Sequence, residues 1–494
     1  MAALPRLLPR KCKAMVTRSK MSATRCQRMH LRRRLSTLSD EWLHAALLLI
    51  VTLCIMTNNG CIAADWEEQA KLSFSDQGDV RRVAGIGIDG NTLIAGSNIG
   101  DNIDTFSGAA FVFVRSGASW QQEAWLNGTD AATSDAFGFS TDVSGDIAII
   151  GAIGDDDNGT DSGTAYVFTR DGTWSQTTKL YGPDTTEGDA FGTEVAIDGN
   201  SIIVGAPNNA NATGAAYVFT MDGDWAIEGT LRATDANTSD LFGTSVDIDG
   251  DTAVVGAVQE GETFAGSAYV FVRTNGVWSQ QAKLTADDAA EGDMFGASVA
   301  ITGDHVLVGA PAASVDSVMS AGAVYYFNRT DSTWSQCAKL VASDNSANDN
   351  AYFGTSVAVE GSVAVVGAYW ADSMAGAAYT FTMSENGTWI QQARLSAADG
   401  DESTMFGASV AVSGGYTAAI QAFGDDSLGA AFVFQGPGSA ESGSITHWLP
   451  IAIAAAAVGA MAMAATVLGF GGVIATLRWR GKRVSRATKL YTPL

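Results

Sequence analysis

The residues best suited to chemistry in this chain are three closely spaced aspartates, in the run Asp155-x-Asp157-x-Gly159-x-Asp161. Carboxylate oxygens at alternate loop positions are ligands that calcium prefers, and a glycine allows the sharp turn that a calcium loop needs. The run has no downstream bidentate glutamate, and it overlaps an Asn-x-Thr glycosylation sequon at Asn158. The sequence therefore indicates either a calcium site at Asp155, Asp157 and Asp161 or a solvated turn.

Candidate catalytic residues are scarce in the same part of the chain. Between residues 65 and 435, His305 is the only histidine and Cys337 is the only cysteine. A serine or cysteine nucleophile needs a base at hydrogen-bond distance, most often a histidine. We therefore expect no enzymatic activity and no cofactor apart from the calcium considered above. Cys337 has no partner for a disulfide in this region, and we expect it to be a packed thiol within a strand.

A repeat of about 54 residues organises most of the chain and must position these residues. A tryptophan run and a Gly-Ala-Ala-Tyr-Val-Phe type run each recur seven times at this period. Phe-Gly recurs six times, with a degenerate seventh copy at Arg82-Val83; the six phenylalanines are Phe137, Phe191, Phe242, Phe295, Phe353 and Phe406. Repeats of this length that are rich in strand-forming residues are typical of propellers.

Each copy contains four segments that favour β-strands. In one copy they are Trp174–Leu180, Phe191–Ile197, Ser201–Ala206 and Gly214–Phe219. The pair Asp198-Gly199 separates two of them and favours a type I′ hairpin turn. The sequence therefore predicts an all-β fold, a seven-bladed propeller of four-stranded blades.

The two ends of the repeat region predict how the ring closes. The first copy begins with a lone tryptophan strand, Trp66–Leu72, and the last copy ends with a lone strand, Gly429–Phe434. An unpaired strand edge is a site of aggregation. We therefore expect the N-terminal strand to complete the last blade.

The motifs resemble those of the FG-GAP repeat family, which includes the seven-bladed propeller of integrin α subunits. Phe-Gly, Val204-Gly-Ala-Pro207, Val308-Gly-Ala-Pro311 and the Gly-Ala-Ala-Tyr-Val-Phe run carry the resemblance, which covers residues 65–435. It implies a recognition or adhesion role. Several integrin blades carry a calcium loop between their first two strands. Here that position is a short turn, as in Ile197-Asp-Gly-Asn200, with too few residues for such a site.

The segments outside the repeats predict a type I membrane protein. Residues 1–64 comprise a basic N-region and an apolar run of signal-peptide length, for which a retained signal anchor is the alternative. A linker spans 436–447, and a transmembrane helix is predicted at 448–477, where Leu449–Leu477 has no charged residue. The basic residues that follow it place the tail, 478–494, in the cytosol. The tail ends in Tyr491-Thr-Pro-Leu494, which matches a tyrosine-based sorting motif or is an unstructured end.

Charge and topology select one face of the predicted propeller. Residues 65–447 contain 12 Lys and Arg against 51 Asp and Glu, a net charge of −39, which argues against nucleic acid as a partner. In a four-stranded antiparallel blade, the long loops share one face and the tight turns share the other. Most aspartates lie in the long loops, and the chain leaves the last blade on the tight-turn face. The acidic loop face therefore points away from the membrane.

These features together predict a glycoprotein of the plasma membrane or an endomembrane. We expect it to bind a protein or glycan through the loop face. A structural or trafficking component without a specific ligand is the alternative, and a propeller enzyme is the third and less favoured interpretation. Six Asn-x-Ser/Thr sequons support a lumenal or extracellular propeller; they lie at Asn127, Asn158, Asn211, Asn237, Asn328 and Asn386.

Overall fold

The computed structural model describes residues 66–437, with gaps at 75–83, 99–106, 262, 345–349, 399–403, 416 and 423–428. The predicted leader, the membrane helix at 448–477 and the tail with Tyr491 and Leu494 lie outside the described residues, as does Arg82-Val83. Within the described part of the chain, no helix is both long enough and apolar enough to cross a membrane.

Seven four-stranded antiparallel sheets form the described part of the chain, which confirms the predicted seven-bladed propeller. The first strand of each blade lies innermost, and the tryptophan strand lies outermost. Blade 1 contains β2 (Ile86–Asp89), β3 (Thr92–Ser97), β4 (Ala109–Ser116) and β5 (Ser119–Leu126). Blade 2 contains β6 (Phe137–Ser144), β7 (Ile147–Ala152), β8 (Thr164–Asp171) and β9 (Thr173–Leu180). Blade 3 contains β10 (Val195–Asp198), β11 (Ser201–Ala206), β12 (Ala215–Asp222) and β13 (Asp224–Leu231).

Blades 4 to 6 repeat this order. Blade 4 contains β14 (Phe242–Asp249), β15 (Thr252–Ala257), β16 (Ser267–Thr274) and β17 (Val277–Leu284). Blade 5 contains β18 (Ser298–Thr302), β19 (His305–Ala310), β20 (Ala323–Thr330) and β21 (Thr333–Leu340). Blade 6 contains β22 (Val357–Glu360), β23 (Val363–Ala368), β24 (Ala377–Met383) and β25 (Trp389–Leu395). Two four-residue turns, α1 (Asn209–Ala212) and α2 (Ala371–Met374), lie in the long loops of blades 3 and 6.

The last blade closes the ring with strands from both ends of the repeat region. Blade 7 contains β26 (Val410–Ser413), β27 (Thr417–Ala422), β28 (Ala430–Gln435) and β1 (Glu67–Ser73). β1 pairs with β28 antiparallel, from Glu67 opposite Gln435 to Ser73 opposite Ala430. The predicted closure by the N-terminal strand is therefore confirmed, and residues 66–437 contain every strand of the seven sheets.

The hairpin between the first two strands differs from the predicted type I′ turn. Asp198 pairs with Ser201, so the two turn residues are Gly199 and Asn200. Gly199 has a positive φ of 54°, whereas Asn200 does not. Asp198 stays in the strand, and its carboxylate accepts a hydrogen bond from the backbone N–H of Gly250 in the next blade, at 2.8 Å.

A complete circle of hydrogen bonds joins these turns. Among the described residues, the last polar side chain of each first strand accepts a bond from a turn glycine N–H of the next blade, at 2.6–3.3 Å. The seven pairs are Asp89–Gly145, Ser144–Gly199, Asp198–Gly250, Asp249–Gly303, Thr302–Gly361, Glu360–Gly415 and Ser413–Gly90. The last pair crosses the point of ring closure, so the same bond type holds every blade boundary.

The Phe-Gly motif is explained by the close approach of neighbouring blades. The six phenylalanines are buried, with at most 1% of their surface exposed, and pack 5.2–6.2 Å from aromatic rings of the third strand. The glycine after each one has a φ of 85–96°, a region that favours glycine. Its carbonyl oxygen lies against a glycine of the preceding blade, such as Gly243 against Gly205, where an added Cβ would overlap it.

Cys337 is not the packed thiol that its strand position predicts. Its side chain is exposed on β21, with Sγ 3.4 Å from the carbonyl oxygen of Ser335. β21 is the outermost strand of its blade, and successive side chains of a strand point to opposite faces. Trp334 and Gln336 occupy the half-buried face, so Cys337 lies on the other.

We expect Gly205→Ala to lower the free energy of unfolding by about 3 kcal/mol, because the new methyl group overlaps the carbonyl oxygen of Gly243. Gly199→Ala is the control, since its Cβ would meet no atom within 4 Å. It should cost about 1 kcal/mol from its positive φ alone. Urea unfolding followed by circular dichroism measures both values, and equal losses would contradict the steric explanation.

Candidate functional site

Two of the three predicted calcium ligands, Asp155 and Asp157, lie around the ammonium group of Lys179. Lys179 Nζ is 2.6 Å from a carboxylate oxygen of Asp157, 2.9 Å from Asp130 and 3.1 Å from Asp155. The hydroxyl of Tyr166 also lies at hydrogen-bond distance from two carboxylates, 2.8 Å from Asp155 and 3.0 Å from Asp130, and its single proton is donated to one of them or shared between them. The structure therefore brings Asp155 and Asp157 together, with Asp130 as a third carboxylate that the spacing of the run did not indicate.

Asp161 takes part in the same loop through its backbone. Its N–H donates to the carboxylate of Asp156 at 2.8 Å, and the N–H of Asp157 donates to Asp155 at 3.1 Å. Within the described residues, no group of three or more His, Cys, Asp or Glu side chains is arranged to hold a metal ion. A calcium ion would have to share Asp155 and Asp157 with Lys179. The calcium site remains a prediction.

The cluster of Lys179, Tyr166 and aspartate recurs in other blades, which identifies it as part of the scaffold. Lys179 lies 4.7 Å from the ring centre of Tyr166. The equivalent cation–ring pairs are Lys283–Tyr269, Lys339–Tyr325 and Arg394–Tyr379, with bridges from these cations to Asp235, Asp288 and Asp344. Burial by itself raises the pKa of Asp130, Asp235 and Asp288. The lysine ammonium and the tyrosine hydroxyl that hydrogen-bond to each carboxylate outweigh burial and hold its pKa below the usual value.

Further aspartates of the loop face are internal rather than available to a ligand. Two residues before the Phe-Gly motif, an aspartate accepts the backbone N–H of the residue three positions earlier, at 2.6–2.9 Å; these are Asp135, Asp189, Asp240 and Asp293. Their exposed fractions are 4–6%. These four aspartates therefore stabilise the fold of the loops. The sequence alone did not distinguish them from the aspartates that are exposed to solvent.

Five of the six sequon asparagines are exposed. Asn127, Asn158, Asn211 and Asn237 lie in long loops on the loop face, and Asn386 lies in the turn between β24 and β25 on the opposite face. Asn328 lies within β20 and is half-buried. The four loop asparagines belong to the loops of blades 1 to 4, so they occupy one sector of the ring.

The repeats allow each loop position to be compared across the copies, and blade 6 departs from the others at two positions. Tyr352 and Trp370 stand where the other copies have no aromatic residue. With Tyr369 they form a cluster in which the ring centres are 5.5–6.0 Å apart. Trp370 is 40% exposed although it is a large apolar residue.

Three methionines lie in the loop segments next to this cluster. Met319 is 74% exposed, and the neighbouring Ser320 accepts the N–H of Tyr352 at 3.1 Å. On the other side, Met374 donates its N–H to the carbonyl of Trp370, and Met405 donates to the carbonyl of Met374. We call these six residues the aromatic patch: Met319, Tyr352, Tyr369, Trp370, Met374 and Met405. Sequence reasoning missed it, because each residue fits a strand-rich sequence and only comparison between copies marks it.

The central channel holds a second departure from the repeat. First-strand residues of the blades line a cavity of about 280 Å³, and Glu194 stands where five other copies have serine. In four of those copies the serine hydroxyl donates to the glycine carbonyl of the next Phe-Gly, at 2.8–2.9 Å. Glu194 cannot repeat this bond as a carboxylate, and its exposed side chain lines the channel that the first strands enclose.

Two more carboxylates lie beside Glu194, on the first strands of blades 2 and 4. Asp142 accepts the N–H of Ile197 at 2.9 Å, and Asp247 accepts the N–H of Ile301 at 2.7 Å, so each joins its blade to the next. Burial raises the pKa of Asp142 and Asp247 to about 7. Burial, together with repulsion from these two aspartates, raises the pKa of Glu194 to about 8.

These raised pKa values predict a protein that is less stable at higher pH. A carboxyl group with a raised pKa keeps its proton in the folded state at pH values where the unfolded chain has released it. Its stabilising contribution is complete below the unfolded pKa of ~4 and is lost as the pH rises through ~7 to ~8. We expect Glu194→Ser to reduce this loss, because the serine does not ionise and can donate to the carbonyl of Gly243.

The measurement is urea unfolding at pH 5 and pH 8. The difference in unfolding free energy between the two pH values should be smaller for Glu194→Ser than for the wild type. Ser298→Ala is the control, since it removes a hydrogen bond of the same type without removing a titrating group. It should keep the wild-type difference, and an unchanged difference in Glu194→Ser would contradict the assignment.

Replacing Lys179 tests both the scaffold cluster and the predicted calcium site. We expect Lys179→Met to cost about 2 kcal/mol, because Asp155 is buried and would lose its charged partner. If Asp155, Asp157 and Asp161 can bind calcium, added calcium should raise the melting temperature of this variant more than that of Lys339→Met. Lys339 pairs with one aspartate, Asp288, and serves as the matched control. Equal responses to calcium would argue against the site.

Comparison with known proteins agrees with this geometry. The family model described as FG-GAP repeat matches six segments of the chain, 120–168, 174–219, 225–271, 278–327, 334–381 and 389–434. Each match runs from a tryptophan strand to the third strand of the following blade, and together they cover more than half of the chain. No curated protein matches the chain significantly. The chain belongs to the FG-GAP repeat family.

Proposed function

We propose that this propeller is the recognition domain of a type I membrane glycoprotein and binds a protein or glycan through its loop face. The propeller fold supports a ligand-binding role, because variable loops on a rigid scaffold are the usual place for recognition. The membrane topology rests on the uncharged segment Leu449–Leu477 and the basic residues after it. The plasma membrane and the endomembranes are both consistent with these signals.

The aromatic patch is the observation that carries the proposal. Trp370 and Met319 are exposed, and tryptophan and methionine are residue types that recur at protein-binding surfaces. The conserved positions of the repeat explain the buried aromatic residues, but they do not explain Tyr352 or Trp370. The loop face also bears four exposed sequons, and the chain leaves blade 7 from β28 toward the opposite face. A propeller anchored by its C-terminal segment would present the loop face away from the membrane.

Catalysis has little support in the described residues. The Nδ1 atom of His305 is hydrogen-bonded to the hydroxyl of Tyr326 at 2.7 Å. Cys337 lies exposed on the outer strand of blade 5. The carboxylates with raised pKa values line a channel rather than an open substrate cleft. A structural or trafficking role without a specific ligand remains the second candidate, and the sorting motif at Tyr491 and Leu494 favours it.

Binding to cells separates these candidates. We expect a tagged segment of residues 65–447 to bind saturably to intact cells of the organism that encodes it, as measured by flow cytometry. This segment contains all seven blades. Binding that a chelator abolishes, and that Asp155→Ala with Asp157→Ala and Asp161→Ala also abolishes, would assign calcium to recognition. Binding that the chelator leaves intact would support recognition without metal. Lack of saturable binding at micromolar concentration would favour the structural or trafficking role.

A further inference from the structure

The aromatic patch is not needed to build the loop that carries it. In blade 6, Met374 donates its N–H to the carbonyl of Trp370, and Gly376 donates to Ala371. In blade 3, the equivalent bonds run from Ala212 to Asn208 and from Gly214 to Asn209. Both α1 and α2 contain two consecutive residues with φ between 51° and 62°. The two loops therefore share one backbone.

Blade 3 forms this backbone with small or polar residues. Asn208 stands at the position of Trp370, Ala212 at that of Met374, and Ala190 at that of Tyr352. Ala190 and Tyr352 have nearly the same φ, 55° and 54°. Since alanine and asparagine suffice for the loop geometry, the loop backbone does not require the aromatic side chains of blade 6.

The chemistry of the patch favours a protein over a glycan as its ligand. A sugar-binding platform pairs an aromatic ring with many hydrogen-bonding side chains, whereas the loop segments next to the rings carry three methionines here. Thioether side chains adapt their shape and are common at surfaces that bind apolar side chains of proteins. Tryptophan and tyrosine, in turn, are the residues most enriched among those that dominate protein–protein affinity.

The net charge of the propeller favours a basic partner. The net charge of residues 65–447 is −39, so a cationic partner would be attracted and an anionic one repelled. Asp372 lies in the same loop as Trp370 and is 59% exposed while paired with Arg394. The patch lies in the loops of blades 5 to 7, whereas the sequons of the loop face lie in those of blades 1 to 4. Glycans at those asparagines would leave the patch uncovered.

We infer that the aromatic patch is a docking site for a basic segment of a partner protein, which places an apolar side chain against Trp370 and Tyr352. This inference rests on the proposed recognition function and specifies the chemistry of its ligand. Apolar contact at the aromatic patch slows dissociation of the complex. The negative electrostatic potential of the propeller speeds association with a basic segment.

The test uses a phage-displayed library of short random peptides, selected on residues 65–447. We expect the enriched peptides to combine lysine or arginine with an aromatic or aliphatic residue. Trp370→Asn and Tyr352→Ala, which introduce the residues found in blade 3, should weaken binding of synthetic versions about tenfold or more. Asn208→Ala, an exposed change at the equivalent loop of blade 3, should leave it unchanged. Raising the salt concentration from about 50 mM to about 500 mM should slow association.

Three results would overturn the inference. They are the absence of enriched peptides, enrichment of peptides without net positive charge, and binding that Trp370→Asn leaves unchanged. Circular dichroism and the melting temperature show whether each variant is folded, and the Tyr352→Ala variant gives a second measurement if Trp370→Asn does not fold.

Cell binding distinguishes failure of the inference from failure of the proposed function. Cells that bind wild type and Trp370→Asn equally would retain the recognition function and reject the patch. Binding lost after protease treatment of the cells, but kept after glycosidase treatment, supports a protein partner; the reverse pattern rejects it. Cells that do not bind the wild type reject the recognition function, whereas the peptide selection still decides whether the patch binds basic segments.

Discussion

The structure depends on how closely each blade approaches the next. A glycine carbonyl in one blade lies against a glycine of the preceding blade, with no room for a Cβ between them. This approach buries the Phe-Gly phenylalanine among aromatic rings of its own blade and brings each turn glycine within reach of a neighbouring side chain. Within the described residues, six blade boundaries repeat the glycine contact and all seven repeat the turn bond, so the stability of the ring is the sum of similar nearest-neighbour terms. The loops are then free to vary in sequence.

The fold could be predicted from the sequence because the constraint is periodic. The recurrence of Phe-Gly and of the tryptophan strand predicts seven blades, and the structure confirms this number. The lone strand Trp66–Leu72 predicts how the ring closes, and this closure is also confirmed. The hairpin type was not predicted correctly, because a local turn rule does not fix the pairing register: Asp198 pairs with Ser201, so the turn residues are Gly199 and Asn200, and only Gly199 has a positive φ. Cys337 is exposed for a similar reason, since strand propensity does not indicate which strand lies at the outer edge.

The candidate site was predicted less completely. The spacing of the aspartates predicted that Asp155 and Asp157 lie together, and they do. It did not predict Lys179, which contacts both and comes from a strand more than 20 residues away. The aspartates that accept hydrogen bonds within the loops look the same in the sequence as those exposed to solvent. Only their burial in the structure distinguishes the two groups. The aromatic patch was detectable in principle, because the seven copies in one chain act as their own comparison set. Residues that the scaffold requires recur, and those that depart from the repeat, such as Trp370 and Glu194, mark positions with separate roles.

The closure of blade 7 has a consequence for how the chain is made. β1 is synthesised first, yet its partner β28 begins more than 350 residues later. At ~5–20 residues per second, β1 waits on the order of 20–70 s for its pairing strand. Throughout this interval, the growing propeller is an open arc with a free edge at each end. Both edges stay exposed until the last strand arrives, and a chain truncated before Ala430 would never lose them.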